Sequence, residues 1–114
     1  MSGRAFAEAF LAGDAAGAAK LLDDDVTFHS PVRDYHGRER VAAVLAMVTR
    51  VLGRGEIESV LGSDDETATF FTAQVGGGTL EGVLRVRGTT DVTLMARPLS
   101  VLLPAVERLQ AAGR

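Results

Sequence analysis

Apolar residues fall at helical intervals in the first half of the chain and alternate in the second half. Between Arg4 and Ala12, Phe6, Phe10 and Leu11 share one helical face while Glu8 lies on another, which predicts a first helix. Gly13 stands where a helix C-cap needs positive φ, and Asp14 is a good N-cap for a second short helix, Ala15 to Leu22. Asp23, Asp24 and Asp25 end that helix in a solvated turn. Val26 to Ser30 alternates and reads as a short strand, stopped by Pro31, which cannot donate to a ladder. Val32 to Gly37 reads as a polar loop. From Arg38 to Leu52, the positions Val41, Val44, Leu45, Val48 and Leu52 form one helical stripe, the clearest helix in the chain.

After Gly53-Arg54-Gly55 the period changes from helix to strand. Glu56 to Leu61, Thr67 to Val75, Leu80 to Arg87 and Asp91 to Arg97 are rich in β-branched and apolar residues. They are separated by turns at Gly62 to Glu66, at Gly76-Gly77-Gly78 and at Gly88-Thr89-Thr90. Gly82 inside the third run is expected to mark a bulge. Beyond Pro98, the residues Leu99, Leu102, Leu103, Val106 and Leu109 predict a C-terminal helix, with Pro104 in its first turn or kinking it. Helices early and strands late give an α+β fold, with helices on one face of an antiparallel sheet. A curved sheet capped by a long helix leaves room for a central cavity, the usual place for a ligand.

A chain of 114 residues holds one domain, taken as residues 1–114. Its 46% hydrophobic and 24% charged residues match an ordinary globular protein. No apolar run approaches the ~20 residues of a membrane helix, and Glu8 interrupts the N-terminus early, so a cytoplasmic protein without membrane contact is expected. The lack of cysteine removes disulfides and thiolate chemistry. With 12 basic against 15 acidic residues, net charge −3, the chain has no positive stripe for nucleic acid: Arg33, Arg38 and Arg40 are diluted by Asp34 and Glu39. Lys20 is the single lysine among many arginines, a bias that points to a GC-rich bacterial genome.

Several segments carry a family resemblance. The Ala12-Gly13-Asp14 start, the run Leu21-Leu22-Asp23-Asp24-Asp25-Val26-Thr27-Phe28, the strand end Ser30-Pro31-Val32 and Tyr35-His36-Gly37-Arg38-Glu39 resemble the SnoaL-like proteins. Met95-Ala96-Arg97-Pro98-Leu99 looks like the end of an uncharacterised bacterial branch of them. They belong to the nuclear transport factor 2-like superfamily, which includes polyketide cyclases, ketosteroid isomerase and limonene epoxide hydrolase. The resemblance implies a cone-shaped, curved antiparallel sheet packed against N-terminal helices and one long helix, with a C-terminal helix. It also implies a homodimer built through the convex face of the sheet. It does not fix a function, because the fold hosts enzymes and binding proteins alike.

Ketosteroid isomerases place their general-base Asp immediately before this proline, where the chain has Ser30. A serine hydroxyl is no base near neutral pH without an activating partner. The isomerases' tyrosine oxyanion donor falls near Phe6, which has no donor. The hydrolase Asp–Arg–Asp relay is not recognisable, and Asp91 is the nearest residue to the late acid of the cyclases. The catalytic residues are therefore unknown, and neither a metal site nor a cofactor is expected.

The pocket candidates are Ser30, Tyr35, Met47, Gln74, Met95 and Arg97. Tyr35 is expected at the rim. Met47 and Met95 suit a pliable apolar pocket. Gln74 shares a face with Phe70 and Thr72, and Arg97 one with Met95 and Thr93. An arginine facing the cavity would fix an acidic ligand, whereas one at the strand end would pair with Asp or Glu. His29 is expected on the face opposite Ser30, in a structural or dimer-interface role, and His36 in solvent. The expected partner is a small apolar or weakly acidic molecule held in a largely apolar pocket, with cyclase- or isomerase-like chemistry as its catalytic form. The rival is a non-catalytic dimeric module whose working surface is the sheet.

Overall fold

The structure is a computed structural model and describes residues 3–76, 78–98, 100, 101, 104, 107 and 111. Helix α1 (Gly3–Leu11) buries Phe6, Phe10 and Leu11, the residues whose spacing predicts it. It closes at Gly13, whose φ is +86°. The Gly13 amide bonds to Phe10 O at 3.1 Å and the Asp14 amide to Ala9 O at 2.9 Å, the paired bonds of a Schellman end. Asp14 then caps α2 (Ala15–Lys20), its Oδ1 accepting from the Gly17 amide at 2.9 Å.

Strand β1 (Thr27–His29) is followed by β2 (Asp34–His36), which lies where the sequence reads as loop. The two pair antiparallel as a minimal hairpin across Ser30–Arg33. Helix α3 (Arg38–Leu52) buries Val41, Val44, Leu45, Val48 and Leu52, as its stripe predicts. Strands β3 (Gly55–Gly62), β4 (Glu66–Val75), β5 (Gly78–Arg87) and β6 (Asp91–Arg97) form the meander.

All six strands join one sheet in the order β2-β1-β6-β5-β4-β3. It is antiparallel except where β1 pairs parallel to β6, Phe28 standing beside Val92. The bulge lies in β3 between Ile57 and Ser59, not at Gly82, through which the β4–β5 register runs unbroken.

The helices cover one face, called inner here. Phe6, Phe10, Phe28, Phe71, Leu45, Leu80 and Leu84 are fully buried there and join one apolar core. Of the C-terminal helix, Ser100, Val101, Pro104, Glu107 and Ala111 are helical, and Val101 packs against the core. The apolar positions that predict this helix, Leu99, Leu102, Leu103, Val106 and Leu109, lie outside the described residues. Among the described residues, no helix is long and apolar enough to cross a membrane.

Candidate functional site

Strand alternation sorts the polar residues onto the two faces. On the inner face, β4 presents Thr67, Thr69, Phe71, Ala73 and Val75, while β6 presents Val92 and Leu94. Facing them, α3 presents its apolar stripe, and half-buried Tyr35, Met47 and Ala96 pack against the margin of the core. The Tyr35 ring lies 6.5 Å from that of Phe28, its partner in the hairpin. Among the described residues, this wall carries no carboxylate, imidazole or cation. Its buried polar groups are Thr49, Thr67 and Thr69. The first two donate to the carbonyls of Ala46 and Ser63, at 3.1 and 2.9 Å. The Thr69 hydroxyl has no partner.

The outer face is different. After the bulge, Ser59 and Leu61 turn outward and line up beside Phe70 and Ala68. Leu61, Phe70 and Met95 are 59%, 37% and 52% exposed, values high enough to make this an apolar surface and not a core. A groove of about 510 Å³ opens there, lined by residues that include Glu58, Ser59, Phe70, Val83, Met95 and Arg97. Charged pairs flank it. Arg97 Nη2 lies 2.8 Å from Glu81 Oε2, and Glu66 holds both Arg85 (3.3 Å) and Arg87 (2.7 Å).

The six pocket candidates therefore divide between places. Tyr35 and Met47 are on the helix-covered side, each half-buried and packed against the core. Gln74, Met95 and Arg97 share the outer face with the neighbours the alternation predicts, but that face is the solvated one. Gln74 is exposed, its Nε2 donating to Thr79 Oγ1 at 3.1 Å, and Arg97 takes the strand-end pairing with an acid. Ser30 is occupied locally: its hydroxyl donates to Arg33 O at 2.6 Å and accepts from the amides of Val32 (3.2 Å) and Arg33 (3.1 Å). It braces the turn between β1 and β2. The sequence reading missed Phe70 and Val83 as groove residues. It also missed Asp34 as a partner of His29. Pro31 in a four-residue link between His29 and Asp34 was the available signal for that hairpin.

His29 is on the outer face, as the alternation predicts, but not as a lone imidazole. Its Nδ1 is 2.9 Å from Asp34 Oδ1 and its Nε2 is 3.3 Å from Asp91 Oδ2. The Asp34 hydrogen bond is the main reason its pKa is raised above 6.5; partial burial opposes this, and Asp91 adds to it. Asp91, the residue nearest the cyclase acid, is thus engaged outside the cone. His36 stands on β2 with Nδ1 3.0 Å from Thr27 Oγ1. Among the described residues, no group of three or more His, Asp or Glu is arranged to hold a metal ion.

The fold is shared with solved proteins. An uncharacterised bacterial protein with a cystatin-like fold from Silicibacter pomeroyi DSS-3 superposes with TM-score 0.86 at 25% identity, over 95% of this chain and 84% of that one. A steroid delta-isomerase from Pseudomonas aeruginosa gives TM-score 0.82 at 26% identity, over 91% of this chain and 82% of that one. A de novo designed protein with a curved β-sheet gives 0.73 at 19% identity, over 94% and 98% of the two chains, a likeness of fold alone. Comparison with curated proteins gives no match. The model of the SnoaL-like domain matches residues 3–96, from α1 almost to the end of β6, and the chain belongs to that family.

Proposed function

We propose that the chain binds a small, neutral, largely apolar molecule on the inner side of the sheet, beside Tyr35 and Met47, without acting on it as a ketosteroid isomerase would. The observation that carries this reading is the inner wall, apolar and, among the described residues, free of carboxylate, imidazole or cation. Isomerase chemistry requires a group that exchanges a proton near neutral pH. Ser30 is committed to its turn, Phe6 is fully buried without a donor, and the ionisable His29 and Asp91 are on the other face. The likeness to a steroid delta-isomerase supports a site suited to an apolar, ring-sized compound. An acidic ligand is disfavoured, because Arg97 is outside and paired with Glu81.

The test is a thermal-shift and calorimetry panel of neutral sterols and aromatic polyketide-like compounds beside their carboxylate counterparts. At least one neutral compound is expected to raise the unfolding temperature, with the effect lost in Met47→Glu and reduced in Tyr35→Phe. No shift from any compound, or an unchanged shift in Met47→Glu, would sink the binding site. Turnover of a β,γ-unsaturated ketosteroid above background would sink its non-catalytic character.

A second reading concerns assembly and rests on Leu61, Phe70 and Met95. A second copy placed by a twofold axis brings the same apolar strip to cover the first. The Glu66–Arg85/Arg87 and Glu81–Arg97 groups at its flanks supply both charge signs, so a copy can match them. Sedimentation at micromolar concentration is expected to give a dimer that Phe70→Asp converts to a folded monomer. A monomeric wild type, or a dimer unchanged by Phe70→Asp, would rule this face out.

A further inference from the structure

His29 belongs to neither of those functions, yet its surroundings are specific. It comes from β1, Asp34 from the edge strand β2 and Asp91 from β6, so one ring touches three neighbouring strands. Both nitrogens face carboxylate oxygens, at 2.9 and 3.3 Å. A neutral imidazole carries one N–H and leaves a lone pair on its other nitrogen, and that lone pair would oppose the second carboxylate. Only the imidazolium can donate to both. We propose that protonated His29 is a pH-sensitive latch that fastens the β1–β2 hairpin to β6, and that loss of its proton surrenders one of the two carboxylate contacts.

On the inner face Phe28 anchors the hairpin in the core, and the Thr27 amide bonds to Thr90 O at 2.9 Å, but the strand pairings at this edge are short. Each of its two pairings, β1 with β2 and β1 with β6, spans three residues. The other charged groups nearby do not replace His29. Arg87 stands opposite Asp91 on β5 and Arg85 opposite Thr93, but both reach Glu66. His36, on β2, turns to Thr27. With both nitrogens engaged, His29 is also a poor general base, which separates the latch from catalysis.

The sign of the pH effect follows from the raised pKa. The stabilisation is fully present below about 6.5, the unfolded value, and is lost as pH rises through the higher folded pKa.

The test joins an NMR titration of the His29 ring with urea unfolding between pH 5 and 9. His29 is expected to titrate above 6.5, and the backbone amides of Phe28, Tyr35 and Val92 to shift with the same midpoint. Asp34→Asn and Asp91→Asn should each lower that midpoint, Asp34→Asn by more. The urea midpoint should fall across the window in the wild type, and His29→Gln should remove that fall. A His29 titration at or below 6.5, amides indifferent to it, or an unchanged fall in His29→Gln would overturn the latch. If His29→Gln does not fold, the wild-type ring and amide titrations and the Asp91→Asn variant decide.

Discussion

Phe71 lies over Gly82, its partner across the β4–β5 ladder. A β-carbon added to Gly82 would stand 2.7 Å from Phe71 Cε1 and 3.0 Å from Cε2. Those distances are inside van der Waals contact, and the ring is 1% exposed, with nowhere to retreat. The glycine is therefore a seat for an aromatic ring, which explains why the ladder passes through it without a bulge.

Gly82→Ala should accordingly destabilise the fold by about 1–3 kcal/mol, the usual cost of overpacking a tight core. The better β-propensity of alanine works against this, so the collision is the term being measured. Adding Phe71→Leu should recover part of the loss, giving a favourable coupling in a double-mutant cycle read by urea unfolding. Strictly additive losses would mean the two residues do not share that space.

Thr69 gives the opposite expectation. It is 1% exposed on the inner face of β4, and its hydroxyl has no hydrogen-bond partner. An unsatisfied buried hydroxyl costs about 1–3 kcal/mol, and valine has nearly the same shape without it. Thr69→Val should raise stability by about 1 kcal/mol, while Thr69→Ser keeps the hydroxyl, loses a methyl and should lower it. A Thr69→Val variant less stable than wild type would show that the hydroxyl is satisfied in solution.

The contrast between these strands and α3 shows what the sequence can reveal. Five apolar positions on one helical stripe leave a single way to bury α3, so its bounds and its core residues were both legible. In β4 and β6 the alternation groups Gln74 with Phe70, and Arg97 with Met95, correctly. It does not say which group faces inward, because Phe70–Phe71 and Leu94–Met95 put apolar side chains on both faces. The outer apolar strip makes its own strands ambiguous. Strand β2 was illegible for another reason: Asp34-Tyr35-His36 offers one half-buried aromatic between two exposed polar residues, too short a pattern to distinguish from loop. The contacts of His29 span 62 residues to Asp91, a separation at which local pattern carries no signal.

The start of α2 is a local device and can be tested locally. Asp14 Oδ1 takes the Gly17 amide in the first turn of a six-residue helix, which has few bonds of its own. Asp14→Ala should cost about 1 kcal/mol and Asp14→Ser much less, because serine also caps. Circular dichroism with urea melts of both variants checks this. Equal losses would remove the cap from the account and leave only the Schellman end of α1.

Ser30 offers the sharpest check on the relation between this chain and isomerases. It occupies the position at which the resemblance puts a general-base Asp, so Ser30→Asp restores the missing carboxylate in sequence. The local hydrogen bonds predict that this does not restore a base. The Val32 and Arg33 amides already converge on the side-chain oxygen at 3.2 and 3.1 Å, and a carboxylate there accepts the same two bonds. Those bonds stabilise the charged form and hold it in the turn, away from the inner wall. Phe6, near the position of the oxyanion donor, is fully buried and has no donor to add. Ser30→Asp keeps the two accepted bonds but loses the hydroxyl's donation to Arg33 O and sets a carboxylate against that carbonyl, so it should fold at a cost of about 1–3 kcal/mol. It should show no ketosteroid isomerisation above background. Measurable turnover would mean that the strand end can swing its side chain inward and that the turn at Ser30–Arg33 is not the constraint the hydrogen bonds describe.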